Sequence, residues 1–216
     1  MPVISEIEEQ ELVVRHGGTV PPARFGDGGY FGDGSPARTP QRAYTTGMLV
    51  GFAGSSMFFL ALVSASVVHR GMPGSDWMPM RPPSILWLTS TIAIVSSFTV
   101  IRARHFLKSG QEGRFSRWWT ATALLGLCFL CGQVVGWRQL YSAGIYMKSN
   151  PSVSFFYVFT VAHGLHLLGG VVALFWISYR ESRVTSLDTA TSVAAMYWHF
   201  VTVLWLFLFS FFLIGG

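Results

Sequence analysis

The amino-acid sequence predicts an all-α fold: a polytopic membrane helical bundle of five transmembrane helices, with the N-terminus cytoplasmic and the C-terminus outside. Three observations lead to this fold class. Of the residues, 51% are hydrophobic and only 12% are charged, and the apolar residues form five long runs. A soluble domain normally carries about a quarter charged residues. A soluble protein with buried helices is a poor alternative, because 216 residues make too small a core to cover five such runs.

Each run is long enough to cross a bilayer, which takes roughly 20 helical residues. The first run begins after Arg42, and the second follows Pro82–Pro83, since proline is favoured at a helix start. The third extends from Trp118 to Tyr141, aromatic residues of the kind found at membrane interfaces. The fourth follows Asn150–Pro151, and the fifth continues almost to the C-terminus. The predicted spans cover residues 45–68, 84–102, 118–141, 153–179 and 190–214.

The Lys and Arg residues predict the orientation of these helices. Near the helix ends, loops on the side of the N-terminus carry nine of them and loops on the opposite side carry four. Because cytoplasmic loops carry the excess of Lys and Arg, the N-terminus is predicted to be cytoplasmic. The net charge of +5 is spread over short loops, so nucleic acid is not an expected partner. The nine are Arg38, Arg42, Arg102, Arg104, Lys108, Arg114, Arg117, Arg180 and Arg183; the four are Arg70, Arg81, Arg138 and Lys148.

The chain is predicted to divide into residues 1–44, a flexible Gly-rich cytoplasmic tail, and residues 45–216, the transmembrane domain. The tail contains a short internal repeat, F-G-D-G at residues 25–28 and again at 31–34. Such a composition cannot bury enough apolar surface to fold alone. A docking arm for a neighbouring subunit is the alternative interpretation of the same segment.

Acidic residues are missing from the predicted membrane region. All ten Asp and Glu residues lie outside the five spans. Proteins that conduct protons or couple ions place carboxylates at membrane depth, where only function justifies their cost. A small transporter or channel is also expected to show inverted repeats or a polar lining at the midplane, and neither is evident. Proton pumping by this chain alone is therefore not expected.

Three histidines lie at membrane depth: His163 and His166 on the fourth span and His199 on the fifth. His163 and His166 share one helix face, which Gly170 continues by a further turn. At about 1.5 Å per residue, His166 and His199 fall at similar depth, roughly 12–14 Å from the cytoplasmic side. The favoured interpretation is hydrogen bonding across helices, because an unpaired imidazole in lipid is costly. The alternative is axial ligation of a b-type haem, or a metal site.

Small and polar residues on other spans predict helix packing. Gly47, Gly51 and Ser55 recur every four residues on the first span, a face that allows another helix to approach closely. Gln133 on the third span is expected to hydrogen-bond between helices. Cys128 and Cys131 form a C-x-x-C on the same span, and structural packing is expected because burial in an apolar helix disfavours the reactive thiolate.

Two motifs connect these residues to a known family. Residues 154–166 read S-F-F-Y-V-F-T-V-A-H-G-L-H, and residues 197–205 read Y-W-H-F-V-T-V-L-W. They resemble the T-x-x-H-G-x-H helix and the Y-W-H-F-V-D-x-x-W helix of the cytochrome c oxidase subunit III family. Residues 86–104 and 132–140 are similar to two further helices of that family. The resemblance covers residues 44–215, and the five-helix form is similar to the bacterial branch, which implies the bacterial cytoplasmic (inner) membrane.

The sequence departs from the family at two carboxylates. The family carries S-E-x-M-x-F on the helix that corresponds to the first span, whereas this chain has S-S-M-F-F at residues 55–59. The Asp of the terminal helix is replaced by Thr202. Ser56 and Thr202 are taken as the replacements, with the hypothesis that they hydrogen-bond to His166 or His199. The role of the family's buried Glu in sustaining proton uptake does not carry over to this chain.

The resemblance implies an accessory subunit of a haem-copper terminal oxidase, with no catalytic, cofactor-binding or metal-binding residue of its own. The haems and coppers are expected in subunits I and II, which are the expected partners, together with a subunit IV and a respiratory supercomplex. Bound phospholipid is expected in a cleft between the first two helices and the other three. The implied function is to stabilise subunit I and support sustained oxygen reduction and proton pumping by the complex. The alternative function is a haem-b-binding membrane anchor that uses the intramembrane histidines.

Overall fold

The computed structural model describes residues 41–73, 77, 82–145, 150–180 and 187–215. Within them the chain forms five helices, each long and apolar enough to cross a membrane, and no described residue lies in a β-strand. The predicted all-α, five-helix fold is confirmed. The helices are α1 (Gln41–Gly71), α2 (Ile85–Lys108), α3 (Glu112–Ser142), α4 (Pro151–Arg180) and α5 (Leu187–Gly215). Residues 1–40 of the tail predicted over residues 1–44 lie outside the described residues, and residues 41–44 already belong to α1. The predicted orientation stays a prediction.

The turn between α2 and α3 explains why both helices extend beyond the apolar stretches from which they were predicted. α2 continues to Lys108 and α3 begins at Glu112, each six residues past the predicted boundary. Gly110 between them has φ +69°, a left-handed conformation that glycine adopts without strain. The amide of Gln111 donates to the carbonyl of Phe106 at 3.0 Å, which caps the end of α2. The glycine turn, rather than the end of the apolar run, therefore sets both helix ends.

The start of α4 is set by an Asn-Pro pair. Pro151 is the first helical residue, where its missing N–H leaves no bond unmade. The side-chain oxygen of Asn150 accepts from the amide of Ser152 at 3.0 Å, as a helix N-cap does. The sequence prediction of a helix start at this pair is confirmed within two residues.

The helices divide into a four-helix bundle, α2 to α5, and a peripheral α1 that packs against α4 and α5. In the most apolar stretch of α1 only 6% of the residues are buried, against 39–44% in the other four helices. We call the side of the bundle where α1, α3 and α5 begin the entry face, and the opposite side the exit face. α1 therefore presents most of its surface outward, whereas α2 to α5 share a closed interior.

Aromatic side chains fill that interior. The largest fully buried residues of the bundle include Trp119, Trp198, Trp205, Phe115, Phe129 and Phe156. A second, smaller cluster joins α1 to the bundle near the exit face and contains Phe59, Phe159, Leu204 and Leu208. Because Phe59 is the buried aromatic that α1 contributes, α1 is attached by few large side chains.

Candidate functional site

His166 connects α4 to α1. Its Nε2 lies 3.1 Å from the hydroxyl of Ser55, and its Nδ1 lies 2.9 Å from the carbonyl oxygen of Ala162. A carbonyl oxygen only accepts, so Nδ1 carries the proton, and in the neutral ring Nε2 accepts from Ser55. Both ring nitrogens of His166 are therefore engaged inside the chain.

The residue that reaches His166 is Ser55 rather than Ser56, which corrects the sequence hypothesis. Matching the family's S-E-x-M-x-F to Met57 and Phe59 places the family's Glu at Ser55, one position earlier than assumed. The physical reason is helical periodicity: adjacent residues point about 100° apart, so only one of the two serines faces α4. Phe59, one turn further along α1, packs its ring against the imidazole of His166 at 5.5 Å between centroids.

His199 forms the corresponding connection between α5 and α2. Its Nδ1 is hydrogen-bonded to the hydroxyl of Ser97. His166 and His199 lie at similar depth in the bundle. The hydroxyl of Tyr197, two residues before His199 on α5, donates to the backbone carbonyl of His166 at 2.7 Å. Nearer the entry face, Arg104 Nη2 donates to the hydroxyl of Ser192 at 2.7 Å. These two contacts hold α2 and α5 together between His199 and the entry face.

His163 differs from the other two histidines. It is 1% exposed, and neither ring nitrogen has a hydrogen-bond partner among the described residues. Its ring packs edge-on against Phe129 at 5.7 Å and lies 5.0 Å from the ring of Trp205. The adjoining cavity is about 10 Å³ in volume. His163 is therefore enclosed by aromatic rings, and the predicted interhelical hydrogen bond is not formed at this residue.

The surroundings of His163 and His166 do not fit axial ligation of a haem. Axial ligation needs ring nitrogens that are free to face the iron, whereas both nitrogens of His166 are already bonded within the chain. The space beside His163, about 10 Å³, is far smaller than a porphyrin. No group of three His, Cys, Asp or Glu residues comes together among the described residues as a metal-ion site would require. His166 therefore has no free ring nitrogen for an axial bond, and His163 has no porphyrin-sized space beside it.

Two of the predicted polar contacts take other forms. Thr202 donates to the carbonyl of Trp198 in its own helix at 2.9 Å rather than to a histidine, a back-bond that threonine commonly makes in helices. The side-chain nitrogen of Gln133 is buried without a partner in the described part of the chain. The α4 hydroxyl of Thr160 accepts instead from Trp137 Nε1 at 3.0 Å. The tryptophan, one turn beyond Gln133, thus makes the interhelical bond expected of the glutamine.

The sequence interpretation missed tryptophan as the main interhelical donor. Trp198 Nε1 and Trp205 Nε1 each donate at 3.0 Å to a serine hydroxyl of α2, Ser96 and Ser90 respectively. Trp119 Nε1 donates to the backbone carbonyl of Leu174 at 3.0 Å. The available signal was the seven-residue spacing of Trp198 and Trp205 on α5, which puts both on one face toward α2.

The glycines fall into two groups. A methyl group at Gly170 would lie 3.0 Å from the ring of Tyr197, and one at Gly126 would lie 2.6 Å from the ring of Trp198. A methyl group at Gly47 or Gly51 would meet no other atom within 4 Å. The predicted packing face of α1 is therefore not used inside this chain beyond Ser55, because α1 diverges from the bundle toward the entry face. The prediction that Cys128 and Cys131 pack structurally is also wrong inside this chain, because both residues are exposed.

The divergence of α1 opens a cleft, which we call the α1 cleft. It has a volume of about 650 Å³ and lies between the first turns of α1, the second half of α4 and the first half of α5. The expected cleft between the first two helices and the other three is wrong in one respect: α2 belongs to the bundle, so α1 alone forms the opposite wall. The lining residues are Tyr44, Met48, Gly169, Gly170, Ala173, Trp176, Ile177, Thr189, Ala190, Val193, Ala194 and Tyr197.

Together these features define a class: a polytopic helical membrane protein whose helices are joined by tryptophan, serine and histidine hydrogen bonds and whose first helix leaves an apolar cleft. Comparison with known proteins supplies the family. The family model described as cytochrome c oxidase subunit III matches residues 30–216. The chain belongs to this family of haem-copper oxidase subunits, and it is therefore an accessory subunit of an oxidoreductase complex that associates with other oxidase subunits in a membrane.

Individual proteins that are similar to this chain support the same family assignment. The chain is 34% identical over 174 residues to the probable cytochrome c oxidase subunit 3 of Mycobacterium tuberculosis (strain ATCC 25618 / H37Rv), which covers 77% of this chain and 85% of the relative. It is 31% identical over 171 residues to that of Mycobacterium leprae, with the same coverage. The cytochrome c oxidase subunit 3 of Thermostichus vulcanus is 31% identical over 171 residues, covering 76% of this chain and 83% of the relative.

Proposed function

We propose that this subunit carries no redox centre and acts by binding phospholipid in the α1 cleft, thereby stabilising subunit I and prolonging oxygen reduction and proton pumping by the complex. The observation that carries the proposal is the α1 cleft itself, about 650 Å³ between α1 and the α4–α5 edge. Its partners would include subunits I and II, in the cytoplasmic membrane of a bacterium, with the electron donor either cytochrome c or quinol.

The walls of the α1 cleft support an acyl-chain ligand. The side of α4 that faces the cleft carries small residues, Gly169, Gly170 and Ala173. The facing side of α5 carries Ala190, Val193 and Ala194. The hydroxyl of Tyr197 donates its hydrogen bond to the carbonyl of His166. The wall of the cleft is therefore largely apolar. An apolar cavity of this size within a membrane is a site where lipid tails bind in preference to polar ligands.

The chemistry of the described helices supports an accessory role. The described carboxylates, Glu112 and Asp188, both lie in the first turn of a helix rather than at membrane depth. His166 and His199 are bonded to serines, and His163 is enclosed by aromatic rings. These residues make contacts that hold helices together, which is what a stabilising subunit needs.

Filling the α1 cleft tests the lipid role. Ala173→Trp introduces a bulky side chain between α4 and α1, and Ala61→Trp on the outer surface of α1 is the matched control. In the purified complex, Ala173→Trp is expected to lower the phosphorus content and shorten the period of linear oxygen consumption, with the initial rate unchanged. Unaltered lipid content and an unaltered lifetime of activity in Ala173→Trp would contradict the proposal.

Purification of the tagged chain tests the absence of a redox centre. Mild detergent is expected to recover the chain with a haem-containing twelve-helix subunit I, and separation of the chain from its partners is expected to remove the haem absorbance. Haem that stays with the separated chain would overturn the proposal and support the alternative of a haem-b anchor at His163, His166 or His199.

A further inference from the structure

A further cavity lies at the entry face, on the corner between α2 and α3. It has a volume of about 520 Å³ and is lined by Phe106 of α2 and by Arg114, Arg117, Trp118 and Ala121 of α3. We propose that this corner binds the headgroup of an anionic phospholipid, with Arg114 and Arg117 contacting the phosphate and with Trp118 and Ala121 beside the upper part of the acyl chains. The site shares no lining residue with the α1 cleft.

The corner is a preformed structure rather than a loose loop. The amide of Gln111 donates to the carbonyl of Phe106 at 3.0 Å, and the amide of Phe115 donates to the carbonyl of Gln111 at 2.9 Å. With the left-handed Gly110, these bonds fix the end of α2 against the start of α3. The position of Arg114 relative to Phe106 is therefore set by the backbone.

The two arginines are arranged to meet one ligand. Arg114 and Arg117 are three residues apart, and Ala121 follows four residues later, so all three lie on one face of α3. The guanidinium of Arg114 stacks over the ring of Phe106 at 5.7 Å, a contact that orders the side chain without using its hydrogen-bond donors. No described carboxylate lines the cavity, so the positive charge is not neutralised inside the site.

The depth of the lining residues matches a phospholipid. Arg114 and Arg117 are exposed in the first two turns of α3, and Ala121 lies about one turn deeper. Trp118 is 39% exposed and its ring stacks with that of Phe106 at 6.5 Å between centroids. Tryptophan is favoured at the headgroup level of a membrane, and basic pockets at helix ends bind anionic headgroups. A cation pair above an apolar floor fits a lipid phosphate better than a free phosphate ion.

The test measures lipid binding to the intact oxidase complex. Complexes are stripped of lipid in detergent and titrated with phosphatidylglycerol, with binding followed by native mass spectrometry and phosphatidylcholine as the uncharged comparison. Arg114→Gln/Arg117→Gln is expected to weaken one phosphatidylglycerol site by about thirtyfold, since each basic residue near a membrane surface contributes about a fivefold attraction. Arg114→Lys/Arg117→Lys is expected to keep most of the binding, which separates charge loss from misfolding.

A matched control removes the same charge elsewhere on the entry face. Arg102 and Lys108 are exposed on α2 and line no part of this cavity, so Arg102→Gln/Lys108→Gln is expected to leave the site unchanged. Equal weakening in both double variants would show diffuse surface charge and overturn the proposal, as would unchanged binding in Arg114→Gln/Arg117→Gln. Displacement of the lipid by equimolar inorganic phosphate would also overturn it, because the ligand would then be a free anion.

Discussion

The bundle α2–α5 and the peripheral helix α1 have similar compositions but opposite modes of attachment. The four helices of the bundle bury 39–44% of their most apolar stretches and are bonded to each other by four tryptophan Nε1 groups. α1 buries 6% and is held by a serine–histidine hydrogen bond and a few aromatic contacts, including Phe52 stacked on Phe200 at 4.3 Å. In a bilayer, where apolar surface is solvated by lipid, close packing and polar contacts decide which helices associate.

The close-packed bundle is expected to contribute most of the stability of the chain, whereas the loosely attached α1 leaves a cavity that can hold a ligand. The bundle is closed around aromatic rings, and the cavity beside His163 is only about 10 Å³. The α1 cleft is about 650 Å³. Changes in the bundle should therefore lower thermal stability, and changes on α1 should affect lipid and partner contacts. Three substitution pairs test the contacts on which this contrast rests.

The largest expected effect is at Gly126. Gly126→Ala places a methyl group 2.6 Å from the ring of Trp198 and 2.8 Å from Val171, and Trp198 cannot move without losing its bond to Ser96. We expect a loss of about 1–3 kcal/mol in the free energy of unfolding, as overpacking of a close-packed interior produces. Thermal denaturation of the complex variants measures it. Gly51→Ala is the control with open space around it, and an equal loss there would remove the contrast between the two regions.

An intermediate effect is expected at Trp205. Trp205→Phe removes the Nε1 donor that bonds to Ser90 at 3.0 Å, in a side chain that is fully buried. An interhelical hydrogen bond in a membrane contributes about 1–2 kcal/mol at most, and we expect a loss of about that size in the same denaturation assay. Trp87, which is 60% exposed, provides the comparison: Trp87→Phe should change stability by less than about 0.5 kcal/mol. Indistinguishable losses in the two variants would contradict the assignment.

The smallest expected effect is at the attachment of α1. Ser55→Ala removes the hydroxyl that bonds to His166 at 3.1 Å, and an average membrane hydrogen bond contributes about 0.6 kcal/mol. Proteolysis of the α1–α2 connection in the purified complex, which reports local release of α1, should become faster by about two- to threefold. Ser56→Ala is the neighbouring control and should not differ from the parent. A faster cleavage in Ser56→Ala alone would restore the original hypothesis about Ser56.

The sequence predicts which histidines make interhelical hydrogen bonds more successfully than it predicts the residues to which they bond. The depth of His166 and His199 follows from helix length, and both meet hydroxyl groups across helices. The partners Ser55 and Ser97 were not predicted, since a periodic pattern specifies the face of a helix but not the neighbour against it. His163 shares a face with His166 in sequence, yet its surroundings are aromatic. Sequence spacing alone does not distinguish the two environments.

Five membrane-crossing helices follow from the sequence, because each apolar run can satisfy its backbone hydrogen bonds within lipid only by becoming helical. The sequence also contains the two motifs that place the chain in the subunit III family. Only the packing of the helices shows that α1 lies apart from the bundle, that four tryptophans donate between helices, and that Gly126 rather than Gly51 is tightly packed. These features depend on contacts between residues far apart in the chain, which local composition does not specify.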